Sequence, residues 1–555
     1  MTIFSAPGRP AAMALGAWLA AGAGAALAQP SPILGDRGRL ETATPPETPR
    51  SAPVPQSAPI APTAGGMTIT PREVAVAGPD RIGAEATAEA RAALIGREIG
   101  QADILRVAEA IRAAYAAAGY ALITVTLDAF DPASGLLRYG VKLGFVDEVR
   151  IEGDTDGANV DRLRNYAARI VVDRPLRQST LERYILLSND LAGRRVGSRF
   201  EPLPGRIDAV RLVLSLERAP PQIGLSINNL GGGALDRVQA GVSFTSTSLL
   251  TEGDRARIAY GFPPDFRRYS YLTGSYTLPI GYDGLTLTGS IGHLITRPTR
   301  TNALEGTATV ASLQLAYPWI RSQAHNLNFA LSLDVFESDQ ALLGQLNSSE
   351  GTRVLRAAAI YAHTPTDGSS SSVLRGVASQ GLDVLGARQD IAFAYGDPNF
   401  TKFSFLAAHN RSFFDNALVL RMRMLGQIAS DRLPASELFT YGGADLGRAF
   451  DPGTLAGDAG IGGAVQLAVP LAFMTALPLV TYSEIYAFID GAQVWRRYAG
   501  FRDFRDRAAS AGGGVGFRIG ELGNLNLELA RQVMEPRYTP TSGGWRFVMS
   551  FTRSF

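Results

Sequence analysis

Arg448 and Asp490 are two charged residues that lie in segments of distinctive composition. Arg448 lies in a glycine-rich segment, residues 441–452, and Asp490 lies in an alternating segment, residues 486–491. A planar guanidinium can hold a carboxylate through two parallel hydrogen bonds, so such a contact fixes a long segment more firmly than a lysine would. A simpler interpretation remains open for each residue: Arg448 as a solvated loop arginine, and Asp490 as a charge without a specific partner.

Enzymatic chemistry has little support in the sequence. Nucleophilic catalysis by serine needs a positioned base. The four histidines lie in separate segments, outside any recognisable nucleophile or metal motif: His293, His325, His363 and His409. Cysteine is absent, which excludes disulfides and thiolate metal sites. We therefore predict that the protein is not an enzyme and that it has no cofactor and no metal.

The composition limits how the chain could meet a membrane. It has 555 residues, 46% of them hydrophobic, and a mean hydropathy of only +0.04. Beyond the N-terminus, no apolar run approaches the ~18 residues that a spanning helix needs, so any crossing must use strands. The 53 Lys and Arg residues nearly balance the 51 Asp and Glu residues, which argues against nucleic acid as a partner.

The second half of the chain alternates apolar and polar residues with a period of two, the pattern of a membrane β-strand. The last segment shows it with Phe547 and Phe551 and ends on an aromatic residue, Phe555. We expect these three phenylalanines to form the signal by which the assembly machinery recognises the barrel. Similar segments start near residues 222, 236, 254, 268, 283, 306, 325, 353, 371, 400, 416, 461, 480, 510, 522 and 544.

These starts predict a mainly β protein with about sixteen antiparallel strands in a barrel over residues 220–555. A barrel of that width has an aqueous lumen. The longest gap between strands, about 430–460, predicts a long loop. Because apolar residues occupy positions 485, 487 and 489, we expect Glu484, Phe488 and Asp490 to face the lumen, where a carboxylate avoids lipid.

The first 219 residues differ in character from the rest. Residues 1–28 have the features of a signal peptide, and residues 29–67 form a proline-rich linker with a candidate plug segment. Residues 68–145 and 146–219 each predict the order βααββ, so we expect two tandem α+β modules.

This arrangement resembles the outer-membrane transporters of two-partner secretion, the haemolysin and filamentous-haemagglutinin secretion/activation proteins of the BamA-like superfamily. Their lumenal loop carries Val-Arg-Gly-Tyr/Phe, which Arg448 and Phe450 match, whereas Gly447 and Ala449 depart from it. The flanking Gly442 and Gly443 also fit, as does Asp458 downstream. Residues 486–491 are similar to the family's Phe-x-Asp-x-Gly segment, although the glycine comes one position early.

The resemblance implies a function and a site. The two modules would be periplasmic POTRA domains that capture a large unfolded exoprotein, of the adhesin or haemolysin type, for export through a gated pore to the surface of a Gram-negative cell. In the family, the loop arginine pairs with the barrel-wall aspartate, here Arg448 with Asp490. We expect Phe488 and Glu484 to be further wall partners of the loop. The expected partners are this exoprotein, outer-membrane lipid and the barrel assembly machinery, with periplasmic chaperones as further candidates.

Three other functions stay open at this stage. An assembly factor of the BamA or TamA type has the same plan of modules and barrel, but its clients are outer-membrane proteins. A barrel enzyme or a passive porin fits less well. For client capture, the sequence suggests two receiving surfaces, the helix and strand near residues 101–127 and the strand near residues 210–216, because an extended chain can add to the edge of a sheet.

Overall fold

The computed structural model describes residues 68–155, 159–232, 236–297, 304–342, 345–391, 396–476, 479–497, 503–538 and 544–555. They form two compact units, one of residues 68–219 with 251–253 and the other of the remaining described residues from 220 onward. The predicted signal peptide, linker and plug segment lie outside the described residues. Within the described ranges, no helix has both the length and the apolar character needed to span a membrane.

The first module is a three-stranded sheet covered by helices. Its elements in chain order are β1 (Glu73–Ala77), α1 (Ile82–Ala86), α2 (Ala88–Ala92), α3 (Gln101–Ala117), β2 (Ile123–Asp131) and β3 (Leu136–Leu143). The strand order is β1-β3-β2, with β3 parallel to β1 and antiparallel to β2. Helix α3 buries Ala108, Ile111 and Tyr115, which recur at helical spacing, against this sheet. Gly119 follows the helix with a φ of +88°, a conformation that favours glycine.

The second module repeats this plan. Its elements are β4 (Phe145–Gly153), α4 (Asp161–Val172), α5 (Gln178–Asp190), β5 (Arg194–Pro202) and β6 (Ala209–Arg218), with the strand order β4-β6-β5. The two modules are joined by backbone hydrogen bonds: Ala121 N–H donates to the Leu176 carbonyl (3.0 Å), and Leu176 N–H donates to the Gly144 carbonyl (3.0 Å). Leu122 also packs into the core of the second module, so the pair shares buried apolar surface.

The second unit is a closed antiparallel barrel. Its wall strands are β7 (Gln222–Asn228), β8 (Gln239–Thr247), β9 (Arg255–Phe262), β10 (Tyr269–Ile280), β11 (Leu285–Thr296), β12 (Leu304–Arg321), β13 (His325–Leu342), β14 (Gln345–His363), β15 (Ser370–Gly381), β16 (Arg388–Ile391), β17 (Thr401–Phe413), β18 (Leu418–Ala429), β21 (Ala459–Pro470), β22 (Tyr482–Arg496), β23 (Phe504–Ile519), β24 (Gly523–Met534) and β25 (Trp545–Ser554). Two further short strands, β19 (Phe439–Tyr441) and β20 (Leu455–Gly457), pair with each other between β18 and β21.

The wall has sixteen strand positions among the described residues, because β16 continues the line of β15 along β14. This confirms the predicted mainly β, sixteen-stranded architecture. Strand β14 begins at Gln345, eight residues before the predicted start near 353, and pairs with β13 over that length. Residues 345–350 lack the expected alternation of apolar side chains. Apolar alternation is required only where one face of a strand meets lipid, so the polar end of a longer strand escapes this pattern.

Side-chain exposure along β22 shows which face is the lumen. Ile485 and Ile489 on the outer face are 49% and 56% exposed, whereas Glu484 and Asp490 on the inner face are each 3% exposed. The inward direction predicted for Glu484, Phe488 and Asp490 is therefore observed. Such burial of polar side chains inside a wide barrel means that something covers this part of the wall.

Candidate functional site

The loop between β18 and β21, residues 430–458, covers this part of the wall from inside the barrel. It contains a short 3-10 turn, Ala435–Glu437, and the β19–β20 hairpin. Its apolar side chains form one buried cluster with wall residues from several strands. The loop members of the cluster are Phe439, Tyr441, Leu446, Ala449, Phe450 and Leu455; the wall members are Val419, Ala464, Ala468, Tyr486, Phe488, Ala492, Val494, Ala508 and Ala530. The loop is thus packed in the lumen.

Glycines give the tip of the loop its tight backbone. Gly442 has a φ of +113°, and a Cβ atom there would lie 2.1 Å from the carbonyl oxygen of Asp451. Gly447 has a φ of +78°, which explains why glycine replaces the valine of the family motif at this position: a β-branched residue would be strained there. Gly442 and Gly443 donate their N–H groups to the carbonyls of Leu446 and Gly447, at 3.1 and 3.3 Å.

Arg448, at the tip, reaches the wall through its guanidinium. Its Nη1 donates to Glu528 Oε2 on β24 at 2.9 Å and to Gln466 Oε1 on β21 at 3.0 Å. The guanidinium carbon also lies 4.0 Å from the centroid of the Phe488 ring. The side chains of Arg448 and Glu528 are only 10% and 4% exposed, so this is a buried ion pair.

Asp490 holds a different part of the same loop. Its Oδ1 accepts hydrogen bonds from the hydroxyl of Tyr441 (2.7 Å), the N–H of Gly447 (2.9 Å) and the hydroxyl of Ser510 (2.7 Å). Burial, together with the nearby Asp490 carboxylate, raises the pKa of the Tyr441 hydroxyl above its usual value. That hydroxyl therefore stays protonated and donates to the carboxylate.

The pair of Arg448 and Asp490 that the resemblance implied is not formed in the structure. Arg448 pairs with Glu528 instead, and Asp490 makes no ion pair among the described residues. The course of the loop accounts for this: its backbone N–H at Gly447 donates to Asp490 Oδ1, and the side chain of the next residue, Arg448, reaches Glu528 on β24. Both residues still anchor the loop to the wall. The predicted pairing of Arg448 with Asp490 is therefore wrong, whereas the predicted position of both residues in the lumen is correct.

The wall next to Arg448 carries two aromatic rings that pack against glycines of the neighbouring strand. Tyr486 and Phe488 lie opposite Gly514 and Gly512 in the register of β22 and β23. A Cβ atom on either glycine would come within 3 Å of these rings. The Tyr486 hydroxyl lies 3.0 Å from Glu528 Oε2 as a hydrogen-bond donor, which holds the carboxylate in place for Arg448.

The two remaining predicted loop residues, Phe450 and Asp458, both have structural roles. Phe450 is 1% exposed and packs against the Tyr441 ring at a centroid distance of 5.7 Å, while its carbonyl accepts from Arg546 on β25. Asp458 closes the base of the loop, since its two carboxylate oxygens accept the N–H groups of Leu433 (2.7 Å) and Arg497 (2.8 Å).

Glu484 was predicted to be a wall partner of the loop, and this is wrong. Its carboxylate forms two hydrogen bonds of 2.7 Å with Arg421 on β18 and accepts a third from Tyr482. The pair joins two wall strands and leaves Glu484 no part in holding the loop.

The C-terminal phenylalanines lie on the last strand, next to the seam of the barrel. Phe547 is 55% exposed on the outer face, and Phe551 pairs in register with Ile227 of the first wall strand. Phe555 exchanges both backbone hydrogen bonds with Ile223, at 2.9 and 3.3 Å. These positions close the barrel; recognition of these residues by assembly machinery stays a prediction.

The histidines take part in contacts between neighbouring strands. His409 Nδ1 lies 2.9 Å from Ser372 Oγ, and the two residues are directly opposite in the register of β15 and β17. In the described part of the chain no carboxylate is hydrogen-bonded to His409, so the orienting acid of a Ser-His-Asp site is missing there. His325 and His363 stack with centroids 4.4 Å apart. The described residues also contain no group of three or more His, Cys, Asp or Glu side chains placed to hold a metal ion.

Comparison with known proteins identifies the family. Residues 209–519 match the family described as haemolysin secretion/activation protein ShlB/FhaC/HecB. The chain belongs to this family. Residues 69–142 match the ShlB-type POTRA domain. A protein of this family is an outer-membrane translocator, and its β-barrel lies in the outer membrane of a Gram-negative bacterium.

Solved structures show the same fold at low sequence identity. CdiB from Escherichia coli has a TM-score of 0.70 at 18% identity, and the alignment covers 100% of both chains. CdiB from Acinetobacter baumannii has a TM-score of 0.60 at 14% identity, over 90% of this chain and 92% of that one. BamA from Haemophilus ducreyi, lacking POTRA domains 1–3, has a TM-score of 0.52 at 14% identity, over 88% and 100%. No curated protein sequence matches the chain.

Sequence reasoning missed several residues that hold the loop. Glu528 alternates with Leu527 and Leu529, so the argument that placed Asp490 in the lumen applies to it equally. The alternation therefore offers several lumenal carboxylates and does not select among them. Gln466, Ser510 and Tyr441 carry no comparable signal, because their role depends on where the loop tip meets the wall.

Proposed function

We propose that this transporter exports a large partner protein, in an unfolded state, from the periplasm to the cell surface through a pore that the lumenal loop gates. The observation that supports this most strongly is the loop itself. It lies inside a closed wall of sixteen strands and is attached there by a buried ion pair between Arg448 and Glu528. A gate needs a part that has a defined closed position, and the attached loop supplies one.

The two modules support capture of an extended client. Both ends of the barrel wall meet at one side, since Phe555 pairs with Ile223, and in this proposal that side is the periplasm. The sheets in the two modules have edge strands, to which an unfolded chain can add through backbone hydrogen bonds without demanding one sequence. This is the recognition that a largely unfolded client requires.

The structure narrows the receiving surfaces suggested by the sequence. Strand β6 is the central strand of its sheet, paired with β4 on one side and β5 on the other. The strand near residues 210–216 therefore cannot accept an added strand, and that suggestion is wrong. Strand β2 pairs only with β3 in its sheet and remains a candidate.

Photo-crosslinking in cells tests capture at β2. A photoreactive residue at the exposed Asp128 on β2 should crosslink to the exoprotein, while one at the exposed Arg138 on the central strand β3 serves as the matched control. Equal crosslinking from both positions would argue against addition at this edge.

Deletion of the gene tests the function as a whole. We expect one large secreted or surface protein to disappear from the culture while the other outer-membrane proteins keep their levels. Arg448→Ala should insert into the membrane at the normal level yet fail to restore export, because without the attachment to β24 the loop loses the defined position from which it opens for the client. Broad loss of outer-membrane proteins would instead indicate an assembly factor, and normal export by Arg448→Ala would contradict the assigned role of the loop.

A further inference from the structure

The first arm of the lumenal loop holds a second buried charge. Glu437 ends the 3-10 turn, and its side chain is 0% exposed. Its Oε1 and Oε2 accept hydrogen bonds from Arg356 Nη2 at 2.9 and 3.1 Å, and Oε2 accepts another from Lys402 Nζ at 2.8 Å. Arg356 projects from β14 and Lys402 from β17, so one loop carboxylate contacts two wall strands.

The wall side of this contact is held in position by its own bonds. Arg356 Nε donates to Asp334 Oδ2 on β13 at 2.7 Å, and Nη1 donates to Ser379 Oγ on β15 at 3.0 Å. The Arg356 side chain is 3% exposed. On the wall, Asp334 supplies one negative charge against the two positive charges of Arg356 and Lys402. The wall therefore presents a preformed site for one further carboxylate, which Glu437 of the loop supplies.

Neighbouring contacts attach the same arm. Lys402 Nζ and Gln427 Nε2 donate to the main-chain carbonyl of Glu437, at 3.2 and 3.0 Å. Leu433 and Leu438 of the loop pack in a small apolar cluster with Val354 of β14 and with Phe400, the residue that precedes β17. The arm is thus positioned so that the Glu437 carboxylate meets the two cations.

This contact shares no residue with the Arg448 attachment. In strand order, β14 and β17 lie on one side of the loop's entry strands, while β24 lies on the other side. Arg448 attaches the tip to β24, and Glu437 attaches the first arm to β14 and β17. Because the two contacts have separate partners, their free energies should add.

We propose that Glu437, with Arg356 and Lys402, is a second latch that keeps the lumenal loop closed independently of Arg448, and that the pore opens only when both latches release. This inference rests on the gated function proposed above. Glu437 is a positioning residue, since it acts through the loop and touches no client in this account. Neutralising it leaves Lys402 buried beside a neutral amide, which weakens the attachment of the first arm.

Single-channel recording of the intact purified protein in planar lipid bilayers, without client, tests the proposal. The variants are Glu437→Gln, Lys402→Met, Arg448→Ala and the combination Glu437→Gln with Arg448→Ala. The ratio of open to closed time should rise about tenfold or more in Glu437→Gln, because a charged hydrogen-bonded contact is replaced by a neutral one. The combined variant should show roughly the product of the two single effects.

Glu484→Gln is the matched control. Glu484 is also buried and is held by two hydrogen bonds from one arginine and a third from another side chain, but all its contacts lie within the wall. This variant should weaken the barrel in heat-modifiability assays and leave the open-to-closed ratio unchanged. Lys402→Met removes a wall partner of the same latch. It therefore tests the latch independently if Glu437→Gln fails to fold.

The outcomes separate the two proposals. An open-to-closed ratio that rises in Arg448→Ala and stays at the wild-type value in both Glu437→Gln and Lys402→Met would overturn the second latch and leave the gated function standing. A ratio unchanged in all variants, including Arg448→Ala, would contradict gating by this loop. An increase in Glu484→Gln equal to that in Glu437→Gln would show that any loss of a buried wall charge opens the pore, which also overturns the latch.

Discussion

Replacing Glu528 with glutamine should have opposite effects on loop attachment, depending on whether Arg448 is present. In the native chain Glu528 Oε2 accepts hydrogen bonds from Arg448 (2.9 Å) and Tyr486 (3.0 Å), so glutamine weakens a charged contact. In an Arg448→Ala background the same carboxylate, 4% exposed, is buried without its cation. Neutralising it there should strengthen the attachment of the loop.

The magnitudes follow from the burial of the pair. Removing one partner of a buried ion pair costs about 3–5 kcal/mol, so Arg448→Ala should destabilise the attached loop by that amount. Glu528→Gln alone should cost about 1–2 kcal/mol, the difference between a charged and a neutral hydrogen bond. In the Arg448→Ala background it should recover about 1–3 kcal/mol, which gives a coupling free energy of roughly 2–5 kcal/mol.

Asp490→Asn provides the comparison. The Asp490 Oδ1 atom is bonded to Tyr441, Gly447 and Ser510, with none of its hydrogen bonds coming from Arg448. Its coupling to Arg448→Ala should therefore stay below about 1 kcal/mol. For the same reason, exchanging the charges of Arg448 and Asp490 should fail to restore export.

Hydrogen exchange of the loop amides measures these free energies. Mass spectrometry of peptides covering residues 439–457, in the full-length protein in lipid nanodiscs, reports the opening free energy of the attached loop. A coupling larger with Asp490 than with Glu528 would contradict the pairing of Arg448 with Glu528. So would a Glu528→Gln substitution that destabilises the loop equally in both backgrounds.

Three further predictions test other parts of the structure. Gly442→Ala should destabilise the loop by about 1–3 kcal/mol or more, because the added Cβ would lie 2.1 Å from the carbonyl oxygen of Asp451 at a φ of +113°. Limited proteolysis should then cut the loop faster than in the native protein, and an unchanged cleavage rate would contradict this. Burial raises the pKa of Tyr139 from 10.0 to about 12, so its contribution to POTRA stability should be full below pH 10 and lost as the pH rises towards 12. In circular dichroism melting, Tyr139→Phe should lose less stability over this pH range than the native protein. An equal loss of stability would exclude Tyr139 as its source. Ser226 and Thr552 lie directly opposite each other across the barrel seam, so replacing both with cysteine should form a disulfide in this cysteine-free chain. Export should remain intact, because passage through the lumen does not require the seam to open. Export that is lost under oxidation and restored by reduction would contradict a lumenal route.

The barrel was predictable from the sequence because lipid imposes a pattern on it. One face of each strand must be apolar, so Leu525, Leu527 and Leu529 reveal β24 without knowledge of its neighbours. The start of β14 was missed because Gln345 and the residues after it extend a hairpin without apolar alternation. The sequence also did not predict whether a strand lies at the edge or the centre of its sheet, because β6 would show the same apolar pattern in either position.

The location of the site was predictable, but its pairing was not. Arg448 and Phe450 were found through the family motif, and the lumenal direction of Asp490 through alternation. The partner of Arg448 depends on how the loop backbone meets the wall at Gly447, which no local pattern encodes. Glu437 carries no signal in the sequence because Arg356, its main partner, lies 81 positions away.

Reconstitution shows whether this protein alone can move an unfolded polypeptide across a membrane. The full-length protein is inserted into lipid vesicles, the unfolded exoprotein whose export is lost on gene deletion is added on the POTRA side, and protease is added afterwards. We expect the client to become protected inside the vesicles, with protection greatly reduced for Arg448→Ala. A client that stays fully sensitive to protease, in vesicles whose transporter is correctly folded and oriented, would contradict this expectation.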